Sequence, residues 1–155
     1  MTLREHKYEL ALDLPAAHRS VRVARHVVRH FARLEGVSNA EIEQLALIVT
    51  ELLANAVDHC GGPPAMTEND LVKDARMRLA LEIGAHEWRL AVSDEGGGDP
   101  ARVRHAVRSA QLPDFEDERG RGLYLMRQMV DTMEVDPSAD GRGLTFRITR
   151  RHASR

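Results

Sequence analysis

The stretch Glu51-Leu52-Leu53-Ala54-Asn55-Ala56-Val57-Asp58-His59 decides how the rest of the chain is read. Set on a helix at about 100° per residue, Gln44, Glu51, Asn55 and Asp58 fall in one narrow polar stripe. Ile42, Leu45, Val49, Leu52, Leu53 and Ala56 gather on the opposite side. One side packs, and the other presents carboxylates and an amide. Ser38 followed by Glu41 has the spacing of a capping box, and Gly61-Gly62-Pro63-Pro64 forbids continuation, so a helix is predicted over 39–58. Any amphipathic helix has a polar face, so the stripe becomes a site only with support from elsewhere in the chain.

The chain has 155 residues, 43% hydrophobic and 30% charged, enough for one domain with its own core. No apolar run approaches the length of a membrane span, and Met1-Thr2-Leu3-Arg4-Glu5-His6 leads into no apolar signal region, so a cytoplasmic protein with no membrane contact is expected. The single cysteine, Cys60, excludes an internal disulfide and a cysteine metal cage. A net charge of −2 gives no overall attraction to nucleic acid, and no direct nucleic-acid contact is expected.

Outward from the central helix, Tyr8, Leu10, Leu12 and Leu14 alternate with Glu9, Ala11 and Asp13, which predicts a strand with one buried face. Pro15 suits a first helical turn. Val21, Ala24, Val28 and Phe31 then keep helical spacing until Gly36, giving a helix over 16–35. Its other side carries Arg22, Arg25, Arg29 and Arg33 with His26 and His30 beside them, either a solvated face or a docking surface for an acidic partner. Beyond the central helix, 61–76 is turn-rich and polar and reads as a loop. Leu79, Leu81 and Ile83, then Trp88, Leu90 and Val92, alternate around Gly84-Ala85-His86-Glu87 as a hairpin. Asp99-Pro100 can open a short helix to about 109, and 111–119 reads as flexible. Leu123, Met126, Val130 and Met133 recur at helical spacing, predicting a helix from 122 to about 132, and strands follow around 134–135 and 144–149. This order is α+β: a two-layer sandwich with helices covering one face of a mixed or antiparallel sheet.

Two glycine-bearing segments could let backbone approach a ligand: Asp94-Glu95-Gly96-Gly97-Gly98 at a strand end and Arg119-Gly120-Arg121-Gly122-Leu123 at a helix start. In the second, unpaired N–H groups at the positive end of the helix suit phosphate oxygens, and Arg119 and Arg121 add charge. Neither segment alone separates a site from an ordinary turn. The phosphate-loop and dinucleotide fingerprints are both missing from the chain.

In order, Glu51-x-x-x-Asn55, Asp94-x-Gly96-x-Gly98, Gly120-x-Gly122-Leu123 and Gly143-Leu144-Thr145 resemble the N, G1 and G2 boxes and terminal threonine of the GHKL ATPase superfamily. Within it the likeness is to the anti-sigma-factor serine/threonine kinases, over about 15–149. The resemblance implies a Bergerat fold that holds ATP and Mg²⁺ under a lid over roughly 99–119. It makes Glu51 the general base, Asn55 the Mg²⁺ ligand, and Asp94 the acceptor for the adenine amino group. Gly96 and Gly98 would lie along the base. Arg119, Gly120, Arg121, Gly122 and Leu123 would border the phosphates, and Thr145 would assist at the adenine end. His59 would be a helix-end group. An amide oxygen suits hard Mg²⁺, and a carboxylate one turn away can take a proton from an attacking hydroxyl. The chain departs from the family pattern in the length of 61–76 and in its run of glycines after Glu95.

The implied function is that of an ATP-dependent anti-sigma factor: a homodimeric kinase that binds a sigma factor and phosphorylates serine or threonine on a small antagonist protein. Two other readings stand beside it. One is an ATP-binding regulator without transfer, a class that loss of Glu51 would mark. The other is the catalytic domain of a histidine kinase, disfavoured because no helical His-Glu or His-Asp phosphoacceptor is present.

Overall fold

The computed structural model describes residues 7–59, 75–95, 118–139 and 141–153. Cys60, nearly all of the expected loop 61–76, Gly96, Gly98, the expected helix 99–109 and the proposed lid up to 117 lie outside the described residues. The side chains of His59 and of residues 118–121 are outside them too.

The elements run β1 (Tyr8–Pro15), α1 (His18–Leu34), α2 (Asn39–His59), β2 (Arg76–Ile83), β3 (Glu87–Ser93), α3 (Glu118–Met129), β4 (Thr132–Pro137) and β5 (Leu144–Arg151). The strands form one sheet in the order β1-β2-β3-β5-β4, and each neighbouring pair is antiparallel. Of the two sheet types expected, the described residues form the antiparallel one. Alternation explains the layering: Met77, Leu79, Leu81, Ile83, Trp88, Leu90, Val92, Val135, Phe146 and Ile148 are buried on one face with the helices. Arg78, Ala80, Arg89, Glu134 and Arg147 are exposed on the other. From the helices come Val21, Ala24, Val28 and Ala32 of α1, Ile42, Leu45, Ile48, Val49, Leu52 and Leu53 of α2, and Leu123 and Met126 of α3. No helix among the described residues is long and apolar enough to cross a membrane.

Gly36 ends α1 as expected, with φ of 78°: Gly36 N–H donates to Arg33 O and Val37 N–H to Ala32 O, both at 3.1 Å. These paired bonds satisfy carbonyls that the last turn leaves open. Three expectations need correction. The apolar row of β1 is only half-buried, and Tyr8 is 52% exposed, because β1 is the edge of the described sheet, with β2 its one described neighbour. Pro15 closes β1 opposite Arg76 rather than opening α1; a residue without an N–H is tolerated on a sheet edge, and extended Ala17 is the helix N-cap. The third helix is displaced: α3 starts at Glu118 and stops at Met129, so Gly120 and Gly122 lie inside it, and Met133 belongs to β4. The chain is turned out of α3 by tertiary bonds, Arg150 Nη1 donating to Met129 O and Asp131 N–H to Thr149 O.

The capping box is half realised. Ser38 Oγ accepts Glu41 N–H at 3.3 Å, but the Glu41 carboxylate does not reach back. It is 4% exposed, accepts Ala153 N–H on Oε1 at 2.8 Å and meets His152 Nδ1 on Oε2 at 2.8 Å. The other ring nitrogen, Nε2, lies 2.9 Å from Gly84 O. A buried carboxylate needs such partners, and β5's continuation supplies them.

Candidate nucleotide site

The face of α2 divides as its sequence requires. Ile42, Leu45, Val49, Leu52, Leu53 and Ala56 are all buried, while Glu51 and Asn55 are half-buried and Asp58 is exposed. Asp58 turns toward α1, its Oδ1 3.3 Å from His18 Nε2. Gln44 and Asn55 each bury one amide atom, Oε1 and Nδ2, that has no hydrogen-bond partner among the described residues. An unpartnered buried amide end is costly. Turning the Asn55 amide over would aim its carbonyl oxygen into the same place.

The glycines of α3 meet this stripe. A Cβ placed on Gly122 would lie 3.1 Å from Glu51 Oε2, so the helix backbone runs directly against the carboxylate. Two segments far apart in the chain are thereby joined. α3 already includes residues 118–121, so Gly122 is deep enough to be bonded within the helix rather than standing open at its end.

A second group forms at the ends of β3 and β5. Asp94 N–H donates to Leu144 O at 3.0 Å, and Asp94 Oδ1 accepts Leu144 N–H at 3.1 Å. Thr145 is buried, and its Oγ1 lies 2.9 Å from Ser93 Oγ, its register partner. Asp94 and Thr145 therefore lie close together at the ends of these two strands. The part played by Ser93 was not foreseen, since a serine closing a strand carries no sequence signal of its own. Gly143 was read only as part of a motif and turns out to touch Asp94. Gly96 and Gly98 lie outside the described residues, as do the side chains of Arg119 and Arg121.

The arginine stripe of α1 is not uniformly solvated. Arg29 Nη2 is paired with the Glu43 carboxylate of α2, and Arg25 is half-buried, leaving Arg22 and Arg33 as its exposed members. A concavity of about 760 Å³ on the open sheet face is lined by Ala80, Glu82, Arg89, Ala91, Glu134 and Arg147 among others. None of its lining residues belongs to the Glu51 or Asp94 groups.

The family described as Histidine kinase-like ATPase domain matches residues 14–148. A protein named serine-protein kinase RsbW from Bacillus pumilus is 26% identical over 145 residues, covering 91% of this chain and 84% of its own length. An anti-sigma F factor from Bacillus velezensis is 25% identical over 146 residues, with 93% and 92% covered. Among solved structures, one of a SiaB–SiaC complex from Pseudomonas aeruginosa superposes with a TM-score of 0.63 at 14% identity, covering 92% of this chain and 89% of the matched one. That similarity concerns the fold. With the family match running from the end of β1 into β5 and taking in the three described helices, the chain belongs to the histidine kinase-like ATPase domain family.

Proposed function

We propose that this protein binds ATP with Mg²⁺ and transfers the terminal phosphoryl group to serine or threonine of a small antagonist protein, and that it otherwise holds a sigma factor. The observation that carries the reading is the closeness of Gly122 to Glu51, which sets a glycine-bearing helix beside a carboxylate on the Asn55 face. The names of the relatives, a serine-protein kinase and an anti-sigma factor, support it. In this reading the protein works in the cytoplasm as a homodimer and does not touch nucleic acid.

The residues fit the chemistry. Turned over so that its carbonyl oxygen takes the buried, unpartnered position of Nδ2, the Asn55 amide suits a hard cation. No cluster of three or more His, Cys, Asp or Glu that could hold a metal occurs among the described residues, so the protein would supply few ligands and the phosphates the rest. Bound there, Mg²⁺ would neutralise phosphate charge. Glu51 would take the proton of the acceptor hydroxyl, and Gly120 and Gly122 would border the phosphate oxygens. Asp94, held by Leu144, would accept the adenine amino hydrogen bond. Gly96 and Gly98 would let the chain pass along the base, with Arg119, Arg121 and Leu123 at the phosphates and Thr145 at the adenine end.

Calorimetric titration should show Mg²⁺-dependent binding of ATP and ADP, with GTP much weaker. Asp94→Ala should reduce the preference for ATP, because a site built around one hydrogen bond discriminates through it. Equal affinity for ATP and GTP, or no binding by the unmodified protein, would end the nucleotide reading.

The exposed part of the arginine stripe supports docking of an acidic partner. Reversing the charge of Arg22 and Arg33 together should slow association with a partner protein copurified from native extract roughly 10-fold at low salt and flatten its salt dependence. Nucleotide affinity should hardly change. An unaltered association rate and salt slope would mark the stripe as solvated charge.

A further inference from the structure

We propose that Gly143 is the positioning residue for Asp94, and that the Ser138–Gly143 turn thereby sets the base selectivity of the site. The inference rests on the nucleotide reading above and names a control on it. A Cβ on Gly143 would lie 2.1 Å from the Asp94 carbonyl oxygen, 2.6 Å from its carbonyl carbon and 2.5 Å from Oδ1. Two of those three atoms are backbone, which cannot swing aside as a flexible side chain can. Gly143 is not among the described glycines with positive φ, which are Gly36 and Gly141. Its need for glycine is therefore one of close approach rather than of conformation.

The turn fixes that approach from behind. Ser138 N–H donates to Gly143 O at 2.8 Å, and the buried Ser138 Oγ accepts Gly143 N–H at 3.0 Å. Gly141, with φ of 72°, donates its N–H to Ser138 O at 2.9 Å. Gly143 is thus pinned at both its N–H and its C=O. One residue on, Leu144 grips Asp94 through its N–H and its C=O, and Thr145 meets Ser93. With Oδ1 anchored by Leu144 N–H, the plane and direction of the carboxylate follow from the path of the turn. A carboxylate so aimed accepts a hydrogen bond from an amino group and repels a carbonyl oxygen. It therefore favours a purine bearing a 6-amino group over one bearing a 6-oxo group. Any side chain at 143 moves Asp94 off that aim while leaving Glu51, on another element, in place.

The test uses the full chain and compares ATP with inosine triphosphate, which carries oxygen where adenine carries its amino group. The unmodified protein should favour ATP by on the order of 10- to 100-fold, the range of a hydrogen bond to a charged group. Gly143→Ala should bring the two affinities close together by weakening ATP, and Ser138→Ala, which loosens the turn without a clash, should lower the preference in the same direction but less. Asp94→Ala with Gly143→Ala should be no worse than Asp94→Ala alone, since residues acting through one contact do not add. Circular dichroism confirms that each variant is folded; should Gly143→Ala fail to fold, Ser138→Ala decides. If folded Gly143→Ala keeps the ATP preference that Asp94→Ala loses, or if the two effects add, the positioning role is overturned while the nucleotide reading stands. If Ser138→Ala must decide and leaves the ratio untouched, the role is equally overturned. An unmodified protein that treats both nucleotides alike overturns both.

Discussion

Glu51→Gln is expected to lower single-turnover transfer from labelled ATP by about 10²- to 10⁴-fold, or roughly 3 to 5 kcal/mol of barrier. The substitution keeps the size and the hydrogen-bonding reach of the side chain and removes only its capacity to take a proton. Nucleotide affinity should move far less, because Asn55 and Asp94 are left in place. Asn55→Ala should do the reverse and impair the Mg²⁺-dependent part of binding. Gly122 offers an independent check on the geometry: its Cα lies so close to Glu51 that a methyl group there would press on Oε2 at 3.1 Å. Gly122→Ala should therefore reduce turnover through the position of the carboxylate. The acceptor residue is located by mass spectrometry. Labelled histidine in place of serine or threonine would favour the histidine-kinase reading. A protein that binds ATP and its partners yet never labels them would be an ATP-gated regulator, and the kinase assignment would be wrong.

The largest expected effect on stability is at Trp88. It is the second residue of β3, the strand between β2 and β5, facing Ile83 of β2, and is 0% exposed. Trp88→Ala should cost about 3–5 kcal/mol, the sum of lost apolar contact and a cavity that the surrounding strands cannot close. Trp88→Phe should cost much less. The indole Nε1 is buried without a partner among the described residues, so the smaller ring removes an unsatisfied donor along with some volume. Urea unfolding followed by circular dichroism measures both, since Trp88 is the one tryptophan and its fluorescence goes with it. A Trp88→Ala midpoint close to that of the unmodified protein would contradict the packing described for this strand.

How far the chain could be read from its letters depended on whether each signal was local. The apolar spacing of α2, the alternation on both sides of Gly84-Ala85-His86-Glu87 and the stop at Gly36 are local, and each element formed where its period placed it. The position of β1 is not local. Alternation shows that Leu10, Leu12 and Leu14 share a face but not that the strand is the edge of the described sheet, and so their half-burial was missed. The start of α3 was misplaced because glycine weakens helices and reads as a loop end. There Leu123 and Met126 pack into the core and Gly122 fits against Glu51, so tertiary contact outweighs propensity. Glu41 had the spacing of a local cap, yet its partners lie 111 and 112 positions away. For the site, the box-like segments were legible as residue types in order. The closeness of Gly143 to Asp94 was not, because it arises from the path of two strands.

The order β1-β2-β3-β5-β4 also constrains when this domain can assemble. Among the described strands β4 pairs with β5 alone, and β5 is the strand that follows it in the chain. A nascent chain emerging through residue 137 therefore carries β4 without the one described strand that pairs it. β3 then exposes the edge that β5 will later occupy. Only when 144–151 has emerged can one strand fill the gap on both sides, and only with residues 152–153 does Glu41 gain the groups that satisfy it. The sheet is completed from its interior, in a single late step that brings Thr145 to Ser93 and Leu144 to Asp94. The adenine end of the proposed site cannot exist on a partly made chain.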